Sequence, residues 1–280
     1  MPIPPAIPFG GLVGFNFLER TLSAQQTTFN SSPDIEREVE YFQTNAANVT
    51  TVDQLIGDRR LLNVVLTAFG LQDDLNKGAF VRKVIEEGTL ASDAFANRLV
   101  DPAYREMANF LGFGDVGGTL IFESTRTEIV DRFRTQSFEL AVGEQDLDLR
   151  LGLNFKREAV EIASSAANEQ NMWLRLLGSQ PIRQVIEGAL FLPTNFALID
   201  LDQQVEEVQR RASQIFGSSD PSIFADPANI DRFVDRFLLR QQTLGGGGLG
   251  TGPGSTALTL LQSGGLGAGA QENLFASNFL

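Results

Sequence analysis

An all-α fold, an irregular bundle of about eight to eleven helices, is what this sequence predicts, and three observations carry that reading. Apolar residues recur at helical spacing through the middle of the chain, X-Pro steps stand where those stripes begin, and glycines stand where they end. Each device has a physical reason. A proline at the first helical position lacks an N–H that would be unpaired anyway, and a glycine just past the last turn adopts the left-handed backbone that closes a helix.

In chain order, residues 1–32 predict a flexible N-terminal arm with room for a first helix. Residues 33–241 form the helical domain. Ser32-Pro33, Asp101-Pro102, Gln180-Pro181 and Asp226-Pro227 each predict a helix start, and Asp58 before Arg59 and Arg60 predicts another. Between them run stripes such as Leu61, Val64, Val65 and Ala68, then Phe80, Val81, Val84 and Ile85, then Ile129, Val130 and Phe133 with Phe138 and Ala141. Val205, Val208, Ala212 and Ile215, and then Ile230, Phe233, Val234, Phe237 and Leu238, complete the series. Gly70, Gly88, Gly112, Gly143, Gly178 and Gly217 are the predicted left-handed stops, and composition allows a subdivision near 115–122. Residues 242–280 form a Gly-rich tail, predicted to be flexible and to act as linker rather than phosphate cradle, since no Gly-Lys-Ser/Thr follows Gly245-Gly246-Gly247-Gly248.

One segment reads both ways. Leu147, Leu149, Leu151, Leu153 and Phe155 alternate with Asp148, Arg150, Gly152 and Asn154, the signature of a half-buried strand. Leu147, Leu151, Phe155, Ala159 and Ile162 also form one helical stripe, and Gly and Asn suit strands poorly, so helix is favoured over a short hairpin.

Composition narrows function. The 280-residue chain carries a net charge of −13, which opposes attraction to nucleic acid and anionic membrane. With no Cys and no His, it lacks the thiol nucleophile, the imidazole base and the usual zinc ligands, so neither cofactor nor metal site is expected. No apolar run approaches the roughly 20 residues of a membrane span, and the prolines of Met1 to Phe9 do not suit a cleaved signal. The pairs Asp73-Asp74, Glu86-Glu87 and Asp200-Asp202 point to different faces of a helix and read as caps or solvated charge rather than as a hydrolytic pair. Trp173 reads as core.

The aromatic residues are 22 Phe against 2 Tyr and 1 Trp, so almost all aromatic surface is purely apolar and suited to dry packing within or between subunits. Phe9, Phe15, Phe17 and Leu18 near one end and Leu274, Phe275, Phe279 and Leu280 at the other lie in zones unable to build their own core. They either dock on the parent domain or capture a partner. Arg59 and Arg60 could grip an acidic partner, although internal ion pairing is the plainer role for them and for Arg210 and Arg211.

The run Thr51 to Leu62, the phrase Ala68-Phe69-Gly70-Leu71 and the block Ala96 to Tyr104 resemble an alphaproteobacterial family of unknown biochemical function encoded among flagellar genes. Ala141 to Asp146, Gln180 to Val185 and Leu201 to Gln204 continue the likeness, which spans about residues 9–241. It implies a helical fold and a flagellar context, with no catalytic residue to transfer. The expected function is a non-enzymatic structural or assembly protein of the flagellum, working through contacts with flagellar components or with further copies of itself, without nucleic acid or membrane insertion. Export through the flagellar secretion pathway without a cleaved signal suits a chain free of Cys and His and poor in Trp and Tyr. A cytoplasmic chaperone or adaptor for exported subunits is the alternative, and an Asp/Glu-dependent hydrolase is the remote one.

Overall fold

The computed structural model describes residues 2–165, 169–193 and 195–244, with the side chains of residues 163–171 left out of the description; Leu274, Phe275, Phe279 and Leu280 lie outside the described residues. Among the described residues thirteen α-helices are present, with five short 3-10 turns between some of them, and no strand occurs. They are α1 (Gly11–Asn30), α2 (Pro33–Asn45), α3 (Val52–Gly57), α4 (Arg59–Ala68), α5 (Gly78–Glu87), α6 (Pro102–Leu111), α7 (Phe113–Val116), α8 (Glu123–Gly143), α9 (Leu147–Ser165), α10 (Glu169–Gly178), α11 (Gln180–Ala189), α12 (Leu201–Phe216) and α13 (Pro227–Leu244). The count exceeds eight to eleven because pieces as short as α3 and α7, of six and four residues, are too brief to show a periodic stripe.

Three of the predicted starts carry the side-chain cap that the sequence implies, whereas Ser32 makes no capping bond and Gln180 is already the first residue of α11, after Ser179. Asp58 accepts from Arg60 N and Leu61 N, Asp101 from Ala103 N at 2.9 Å and Asp226 from Ala228 N at 3.0 Å, each satisfying an N–H that the first turn cannot. Of the predicted glycine stops, Gly70, Gly88, Gly112 and Gly217 have positive φ, whereas Gly143 and Gly178 do not and lie inside the last turns of α8 and α10. These two serve close approach instead. A Cβ on Gly143 would strike the Arg150 side chain, and one on Gly178 would sit 2.7 Å from the Val100 carbonyl oxygen.

The segment 147–155 is helix. Leu149, Leu151, Leu153 and Phe155 are all buried although they alternate in sequence, because α9 is enclosed by α1, α8, α10, α11 and α13 and has little solvent face to mark with polar residues. Leu147, the first residue of the expected stripe, is exposed. Gly152 lets α1 in: a Cβ there would lie 2.7 Å from the Phe15 ring.

Residues 11–30 are no flexible arm. They form the α1 helix, whose Phe15, Leu18 and Phe29 join the main core against α8, α9 and α13, so these three fill the domain that the remaining helices leave open. Around this frame, α4 rests on α2 and α8, and α5 gathers α3, α6 and α7. The α8 helix, about 31 Å long, links that group to the one around α9. A single hydrophobic core runs from Phe15 to Leu238, continuous across 115–122. An aromatic cluster of Phe155, Trp173, Phe216, Phe224 and Phe233 anchors the second group, with Phe216 stacked on Phe233 at 4.0 Å and the Trp173 Nε1–H donating to the Ser219 carbonyl.

Candidate functional site

A concavity of about 520 Å³ opens where α6 meets α8, α9 and α10. Its wall carries Arg105 and Glu106 of α6, Arg132 and Gln136 of α8, Glu158 and Glu161 of α9, and Arg175 of α10. The C-terminus of α4 (Ala68), Phe69 just beyond it and the cap residues Asp101 and Ser179 close the rim. Helix periodicity explains the gathering: Glu128 and Arg132, and Glu158 and Glu161, lie three or four residues apart and therefore share a face.

The carboxylates of this cleft are matched by arginines. Arg157 grips Glu139 through two bonds of 3.0 and 2.9 Å and reaches Glu158 at 3.2 Å, and the Glu139 side chain is only 4% exposed. Burial weakens the Arg157 cation, yet the carboxylates beside it outweigh that and push its pKa up. Burial raises the Glu158 carboxyl above its ordinary value; Arg157 and the Asn154 amide, 2.7 Å away, pull against it without prevailing. Arg132 bonds Glu106, holds Glu128 at 3.0 Å and Glu161 at 3.6 Å, and lies over the Phe69 and Phe110 rings at 5.2 and 5.3 Å. The Arg175 cation is disfavoured by burial first and then by Arg105. The result is an ionic lattice that ties α6, α8 and α9 together. Its geometry suits adhesion between the two helical groups more than proton transfer, because each of Glu106, Glu139, Glu158 and Glu161 faces an arginine. Among the described residues no cluster of three or more metal-ligating side chains occurs.

The residues singled out from sequence are dispersed. Phe9 is 58% exposed, Phe17 half-buried and Phe15 in the core. Arg60 forks onto Glu38 with bonds of 2.9 and 3.2 Å and covers the Tyr41 ring at 3.8 Å, an ion pair within the domain on its surface, and Arg59, also exposed, donates to Asn76 at 2.8 Å. Arg210 and Arg211 both reach Glu207. Asp200 stands at the N-cap position of α12 but makes no capping bond, and Asp74 is buried between the Tyr104 hydroxyl and Lys77.

Sequence reasoning missed the lattice. One signal was present: Gln136 and Glu139 stand among Phe133, Phe138 and Val142 on the buried face of α8, where a charge needs an internal partner.

Residues 68–230 match the family described as Protein of unknown function (DUF1217). The chain belongs to this family. The ionic lattice, from Arg105 to Arg175, lies within the DUF1217 match, whereas α1, α2 and most of α13 extend it on either side. Among solved structures, the chain is similar to the crystal structure of protein AGR_C_984 from Agrobacterium tumefaciens, at 26% identity and a TM-score of 0.69, covering 86% of this chain and 99% of that one. No curated protein matches.

Proposed function

We propose that this DUF1217 protein is a non-enzymatic structural or assembly component associated with the bacterial flagellum, acting through protein–protein contacts. The resemblance of its sequence blocks to a family encoded among flagellar genes supports the setting, and one feature of the surface carries the mode of action. Segments distant in sequence meet and leave large apolar side chains in solvent. Gln145 donates to the Pro5 carbonyl at 2.8 Å, Gly10 abuts Asp146, Gly11 abuts Gln242, and Gln241 donates to Asp148 at 3.1 Å. Beside these contacts Phe9, Val13, Leu147 and Leu244 are 58%, 64%, 56% and 67% exposed. Covering such side chains yields about 25 cal/mol per Å² of apolar surface, which favours an interface there.

The partner is another flagellar component or a further copy of this chain. Fractionation tests the setting: recovery in purified hook-basal bodies or culture medium, lost in a secretion-defective strain, is the expected result, and recovery in cytosol alone overturns it. That second outcome would favour the cytoplasmic chaperone or adaptor reading, which the acidic surface also suits.

A further inference from the structure

Phe191 is the only non-glycine residue with positive φ among the described residues, at 55°. It occupies the position after α11 where the chain turns left-handed: its N–H donates to Gly188 O at 3.2 Å and the Leu192 N–H to Glu187 O at 2.9 Å. Glycine makes this turn without the steric cost a phenylalanine incurs, and the ring recovers little by burial because it stays 48% exposed. Two guanidiniums frame it. Arg236 and Arg240 of α13 lie 5.0 and 5.1 Å from its centroid, Arg236 donating to Ala189 O at 2.8 Å and Arg240 to Glu187 O at 3.0 Å and Leu192 O at 2.8 Å. One turn earlier Arg232 lies 4.8 Å from the Phe216 ring.

These three arginines form an i, i+4, i+8 stripe, and among the described residues none of them makes an ion pair with a carboxylate. Like charges at this spacing repel, and the Arg236 cation is disfavoured by burial and then by Arg232. The acids of the same helix turn elsewhere: Asp231 meets Lys156 at 2.6 Å, and the Asp235 carboxyl is raised by burial and then by Asp231 and Glu19. In a chain of net charge −13, a helix face sorted to positive charge beside an exposed ring is a surface left open for an outside anion.

We propose that the ridge of Arg232, Arg236 and Arg240 with Phe191 and Leu239 receives an acidic, aliphatic segment of a partner protein. Charge complementarity selects the acidic residues. Leu239, 48% exposed between Arg236 and Arg240 in sequence, and the Phe191 ring supply apolar surface for aliphatic side chains. The proposal deepens the protein-contact reading by naming the partner's chemistry, and its test does not depend on flagellar location.

The test uses the full chain and fluorescence anisotropy. The probe is a labelled helical peptide with Leu at i, i+3, i+4 and i+7 and Glu elsewhere, set against its Lys-for-Glu counterpart and a single-stranded RNA. The acidic peptide should bind, more weakly as salt rises, and Phe191→Gly and Arg232→Gln should each weaken it about tenfold. Phe191→Gly should melt no lower than the parent, since glycine suits its backbone. Absence of acidic-peptide binding, equal binding of the Lys peptide, or undiminished binding by Phe191→Gly overturns the proposal. So does a lower melting temperature for Phe191→Gly, which would make the ring structural. Stronger binding of RNA, or dissociation of a self-associated parent by Phe191→Gly, would assign the ridge to a different occupant and equally overturns it.

Discussion

Arginine plays opposite parts at the α6–α9 cleft and on the α13 ridge. In the cleft, Arg132 meets Glu106 of α6 and Glu161 of α9, and Arg157 meets Glu139 of α8, whose side chain is 4% exposed. On the ridge, Arg236 and Arg240 give their hydrogen bonds to carbonyls at the end of α11 and their charge to no carboxylate among the described residues. A buried charge without a partner is costly, so the interior must complete every pair, whereas water tolerates an incomplete pair at the surface. Charge matching therefore separates the part of the molecule that holds itself together from the part available to another protein.

Breaking the cleft should have the largest effect. Arg157→Ala leaves Glu139 charged and buried, and stability should fall by about 3 kcal/mol or more in denaturant unfolding, with much of the loss recovered by adding Glu139→Leu. Arg240→Ala on the ridge removes the donors to Glu187 and Leu192 and a cation from the end of α11; a loss of about 1.5–3 kcal/mol by the same measurement is expected. If the two losses proved equal, the contrast between the regions would fail.

A pH series sharpens the comparison. Because the Glu158 carboxyl is raised in the folded state, that state holds its proton over a range, beginning near the unfolded value of about 4.3, in which the unfolded chain has released it. Its contribution to stability is thus lost as pH rises through that window. Glu158→Gln should leave stability at neutral pH equal or higher and flatten the curve across the window; a marked destabilisation at pH 7 would show that the ionised carboxylate is needed by Arg157. The smallest effect belongs to Phe191→Gly, a gain of no more than about 1 kcal/mol in thermal or chemical melts.

Local chemistry was legible in the sequence wherever a short span contains its own cause. Asp58, Asp101 and Asp226 cap the helices they precede because the carboxylate meets an N–H two or three residues on, whatever the rest of the chain does. Gly112 and Gly217 end theirs for an equally local reason, their left-handed backbone. Other features depended on which helices meet. The alternation at 149–155 hid a helix because α9 is enclosed by its neighbours, and the first 30 residues looked like a separate arm because the core that accepts Phe15 and Leu18 is built from α8, α9 and α13.

The sequence by itself therefore determined the helical class, the helix ends marked by a capping Asp or a closing Gly, and the charge balance, since hydrogen bonding, caps and side-chain period act within a few residues. Only the tertiary structure decided what each charge is for. Glu139 lies 18 residues from Arg157, and Phe191 lies 45 and 49 residues from the two arginines that frame it, so packing alone made one arginine an internal clamp and left others facing outward. Solvent exclusion, which no short stretch of sequence records, sets the cost of leaving any of them unpaired.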